Sequence, residues 1–73
     1  MSKAHDKLNL TGSYRPRVVV SGLVGIAYLK LVRWQSHVPG TDLVYSMESP
    51  GVEIQKISRE RFMHLAKQIL DGL

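Results

Sequence analysis

The chain contains no cysteine, which removes disulfide frameworks, thiolate metal sites and cysteine nucleophiles in one step. Aromatic residues are scarce as well, 7% of the total with one Trp and one Phe. No long apolar run occurs. The most hydrophobic window, 18–32, is broken by Ser21, Gly22, Gly25 and Lys30 and falls short of the roughly 20 residues that span a bilayer. Residues 1–10, MSKAHDKLNL, are too polar for the apolar segment of a secretory leader. The expectation is a soluble, cytoplasmic protein without a membrane partner.

Catalytic patterns are also missing. The glycines, at 12, 22, 25, 40, 51 and 72, spell neither G-x-x-x-x-G-K nor G-x-G-x-x-G, and no serine lies in a G-x-S-x-G elbow. The histidines His5, His37 and His64 are scattered. Only His64 has a carboxylate at helical spacing, Glu60, well short of the three or four ligands a metal needs. Glu48 and Glu53 flank one turn, but exposed carboxylates lack the burial that would split their pKa values for acid–base work. We therefore expect no enzyme, no cofactor, no metal and no small-molecule substrate. Size points the same way. At 73 residues, ordering entropy of about 1.5 kcal/mol per residue nearly cancels burial, so a carved pocket would remove scarce core.

What is present is a clear pattern. Residues 1–13 are polar apart from Leu8 and Leu10 and read as a flexible basic arm; residues 14–73 read as a single domain. Val18-Val19-Val20 has strong strand preference, and Ser21-Gly22 with Gly25 marks either a tight turn or a bulge in one long strand. From Ile26 to Gln35 both alternating faces are mostly apolar, as in a central strand. After turn residues 37–41, Asp42–Glu48 alternates again, Ser49-Pro50-Gly51 suits a type II turn, and Val52–Gln55 forms a short strand. Ser58 caps a helix in which Phe62, Leu65, Ala66, Ile69 and Leu70 recur every three or four residues, with Ile57 and Phe62 spaced as a hydrophobic staple and Gly72 placed to stop it. The expected fold is α+β: a small antiparallel sheet of three to four strands with one C-terminal helix packed on it.

Charge is uneven. Residues 1–34 hold six Lys+Arg against Asp6 alone, whereas residues 35–73 hold four against five acidic residues. The excess serves solubility in any case, and it also suits an anionic partner. The candidate partner-binding residues are Lys3, Lys7, Arg15 and Arg17 for charge-assisted contacts, with Leu8, Leu10 and Tyr14 as apolar anchors. Nucleic acid is the alternative partner, through Tyr14 beside Arg15 and Arg17 and Trp34 beside Arg33, although Trp34 shares a strand face with Val32 and packing is its commoner fate.

The basic head MSKAHDKLNLTGSYRPR, the cysteine-free sheet and the closing helix SRERFMHLAKQIL together resemble the small proteins that lytic phages make to bind and redirect host RNA polymerase. The likeness is one of whole-chain format and carries no motif, so it transfers no residue role. It implies a non-enzymatic transcription regulator acting in the host cytoplasm. Such a protein docks on bacterial RNA polymerase and inhibits initiation by interfering with the sigma factor; some proteins of this kind also affect termination.

Overall fold

The β-branched and aromatic residues between 14 and 57 pair into one antiparallel sheet of four strands in chain order, β1 (Tyr14–Val24), β2 (Ala27–Ser36), β3 (Val44–Ser49) and β4 (Val52–Ile57), and one helix follows, α1 (Arg59–Asp71). This computed structural model describes Leu10 and residues 13–73. Lys3, Lys7 and Leu8, and with them most of the expected arm, lie outside the described residues. The helix packs on the sheet as expected.

β1 is much longer than its valine run. It continues through Ser21 and Gly22, and the chain reverses at Gly25-Ile26, where Val24 faces Ala27 and Gly25 takes a φ of 65°. Primed hairpin turns need positive φ, which glycine adopts without strain. A bulge exists too, but at Val19: Val18 faces Val32 while Val20 faces Leu31. That extra residue inverts the alternation along β1. Arg15 and Arg17 thereby stand on the same side of the sheet as Val20 and Val24.

The second turn follows the sequence reading. Ser49 pairs with Val52, and Gly51 has a φ of 75° beside Pro50. Proline holds its own φ negative, so the pair is the type II arrangement. Unprimed turns splay hairpin strands, and the ladder slips by one residue between Met47 and Ser49, next to the turn. β3 begins at Val44 rather than Asp42, because residues 37–43 are held as a loop: the Thr41 hydroxyl donates to the Val38 carbonyl at 2.8 Å, and the Tyr14 hydroxyl donates to the Asp42 carbonyl at 3.0 Å. β4 runs to Ile57, two residues beyond the expected Gln55, where Ile57 pairs with Tyr45.

The helix start is as predicted. The Ser58 hydroxyl accepts from the Arg61 N–H at 3.1 Å, and Ile57 and Phe62 pack in one cluster as the staple requires. At the other end Gly72 has a right-handed φ of −89°, with its N–H still donating to the Gln68 and Ile69 carbonyls. The helix therefore stops there without a left-handed glycine cap. Leu70, read as part of the apolar stripe, is 57% exposed, and the buried stripe is Phe62, Leu65 and Ile69.

A strand with two apolar faces needs cover on both, and β2 receives it unequally. On the helix side Leu31 packs with Phe62, Leu65 and Ile69. On the opposite side Val32, Trp34 and Val44 form a separate cluster, flanked by Leu10, Tyr14 and Ile54. Within that second cluster the Trp34 indole N–H donates to the buried Ser46 hydroxyl at 2.9 Å. The helix sits so close over β1 that a Cβ on Gly22 would lie 2.6 Å from Ile69 Cγ2. Thirteen helical residues extend only about 20 Å, whereas the eleven residues of β1 extend about 37 Å. From Phe62 beside Tyr45 to Ile69 above Gly22, α1 crosses the sheet towards the Gly25 end. The Arg15–Arg17 end of β1 and the adjoining end of β2 are left uncovered.

Candidate functional site

Strand register brings the basic residues together on this uncovered end. Arg17 stands directly opposite Arg33, and Arg15 opposite Gln35. Arg33 in turn faces Tyr45 on β3, whose ring lies 4.7 Å from that of Phe62. Two open grooves meet at Arg33.

The larger groove, about 900 Å³, lies between the sheet and the start of α1. Val19, Leu43 and Met63, respectively 47%, 40% and 57% exposed, supply apolar surface, and Arg33 and Arg59 supply positive charge; Lys56 pairs with Ser46 and so belongs to the opposite face of the sheet, and Asp42 is the one carboxylate among the lining residues. Arg59 occupies the first turn of α1, where the helix dipole is itself positive. The smaller groove, about 320 Å³, is lined by Arg15, Arg17, Arg33, Gln35 and His37 together with Pro16 and Ser36. Arg33 Nε is buried without a hydrogen-bond partner among the described residues. Positive side chains outnumber carboxylates among the lining residues of both grooves. Among the described residues no group of three or more His, Asp or Glu side chains is placed to hold a metal ion, and no helix is long and apolar enough to cross a membrane.

The candidates from the sequence divide between the two faces. Arg15 and Arg17 are exposed on the helix side. Leu10 and Tyr14 are half-buried on the opposite side against Val32, Trp34 and Val44, so these apolar side chains pack on the chain's own sheet and do not adjoin the arginines. Trp34 is 2% exposed and offers no stacking surface beside Arg33. Arg59, Leu43 and Met63 were not singled out from the sequence. They lie far from the basic head in the chain, and only the sheet register and the helix start bring them beside Arg33. Compared with protein-family profiles, curated proteins and solved structures, the chain finds no match in any of the three.

Proposed function

We propose that this chain is a non-enzymatic binding protein that docks on an acidic surface of a larger protein through the groove between β2, β3, β4 and the start of α1. The observation that carries the reading is the composition of that groove, exposed Val19, Leu43 and Met63 beside Arg33 and Arg59. Protein interfaces combine an apolar centre with a polar rim and are enriched in Met and Arg. Arg59 supports the reading in a second way. A cation in the first helical turn opposes the macrodipole, so its position costs helix stability and is better suited to an external anion. The resemblance in chain format makes bacterial RNA polymerase the partner, with inhibition of initiation through the sigma factor as the outcome and an effect on termination as a further possibility to assay.

The test is co-migration of the purified chain with core polymerase and with holoenzyme on gel filtration, together with promoter-dependent transcription. Comigration and loss of initiation are expected. Charge reversal by R59E should abolish capture while leaving the far-ultraviolet circular dichroism spectrum unchanged. Failure of the unmodified chain to comigrate would remove the polymerase as partner. The contribution of Lys3 and Lys7 is best read from K3Q and K7Q, because truncating the head also removes Leu10 from the second core.

A further inference from the structure

A cross-strand pair of like charges is ordinarily avoided, because directly opposed side chains lie within a few ångströms and repel. β1 and β2 nevertheless set Arg17 against Arg33, with Arg15 two residues along on the same face. No described carboxylate lies among the residues lining this groove, and Arg33 Nε is buried without a hydrogen-bond partner. The groove differs from its larger neighbour in having arginine, glutamine, histidine, serine and proline as its lining and no exposed aliphatic side chain. Arg15 and Arg17, alternate residues of an extended strand, stand about 7 Å apart along it, a repeat comparable to that of successive phosphates on a stretched single strand. Arginine's planar fork suits phosphate oxygens. We infer that the Arg15–Arg17–Arg33 ladder binds the phosphodiester backbone of single-stranded nucleic acid, on a surface that meets the docking groove only at Arg33. With Trp34 buried, contact is to the backbone and carries no base preference.

The experiment is fluorescence anisotropy of the full chain with a short labelled oligothymidylate over a salt series. Binding should weaken with salt, the logarithmic slope falling by about 0.7 for each phosphate contact removed. R17Q and R33Q should each lower that slope by this amount and weaken binding several-fold, whereas K67Q, on α1, should change neither. Since R17Q relieves repulsion, its thermal midpoint at low salt should rise while its binding falls. No measurable binding at low salt overturns the inference, as does an equal slope in R17Q and K67Q. A lowered midpoint in R17Q also overturns it by making the pair a structural contact. Displacement by polyglutamate at equal charge concentration would assign the ladder to acidic protein instead, and equal affinity for a duplex would remove the single-strand assignment. Retained polymerase capture in R17Q, set beside lost capture in R59E, separates this ladder from the docking groove.

Discussion

Gly22 carries a constraint that no neighbouring residue reveals. It lies inside a strand, where glycine ordinarily weakens pairing, and its value is the space it leaves for Ile69. G22A should therefore destabilise the fold by about 1–3 kcal/mol, the usual cost of overpacking, as measured by urea denaturation. The double variant G22A/I69L removes the Cγ2 branch that meets the new methyl while keeping the side-chain volume, and it should recover part of the loss. On the opposite face the Trp34 indole is fully enclosed and donates to Ser46. S46A removes that acceptor within a buried cluster, and leaving a buried donor short of a partner costs about 1–3 kcal/mol. The same denaturation curve, followed by indole fluorescence, reads this cost at its source. Both effects belong to single residues whose surroundings come from distant parts of the chain.

Among the elements, α1 depends on its first turn. Ser58 satisfies the Arg61 N–H, and S58A should cost about 1 kcal/mol and lower the helical signal at 222 nm without altering the sheet. The strands manage a different liability. β1 and β4 are the two edges of the sheet, and unpaired edges invite pairing with other chains. Each edge carries an irregularity, Val19 in β1 and the slip opposite Met47–Ser49 in β4, and β1 adds Pro16, Arg15 and Arg17. These are the devices that keep edges from associating. The outer edges are therefore poor templates for strand addition. That leaves side chains on the faces, rather than backbone at the edges, to carry binding.

The whole molecule is a sheet with two small cores, only one of which the helix covers. The other relies partly on Leu10, which packs against Val32, Trp34 and Val44. L10A should lower stability by about 1 kcal/mol, in proportion to the half-buried apolar area removed, and shift the Trp34 emission to longer wavelength. An unshifted emission would show that Tyr14 and Ile54 close the cluster by themselves. Charge is organised on the same scale. Because β1 outruns α1, the uncovered end of the sheet gathers Arg15 and Arg17 from β1 and Arg33 from β2 on one face, and part of the positive charge becomes a local field instead of an average.

The strand and helix content, the Ser49–Gly51 turn and the capped helix were legible in the amino-acid order, because alternation, turn chemistry and capping are local and their residues lie within a few positions of one another. Arg15 and Arg17 could also be picked out as binding candidates from local charge. Their surroundings could not be read in the same way. The Val19 bulge decides which face the two arginines share, the β1–β2 register decides that Arg17 meets Arg33, and the crossing of α1 decides what remains uncovered. Leu10 and Tyr14 went to the opposite face for the same reason. A single inserted residue reverses every side chain beyond it, so the placement of charge on this molecule is set by pairing between distant segments and by where the helix ends.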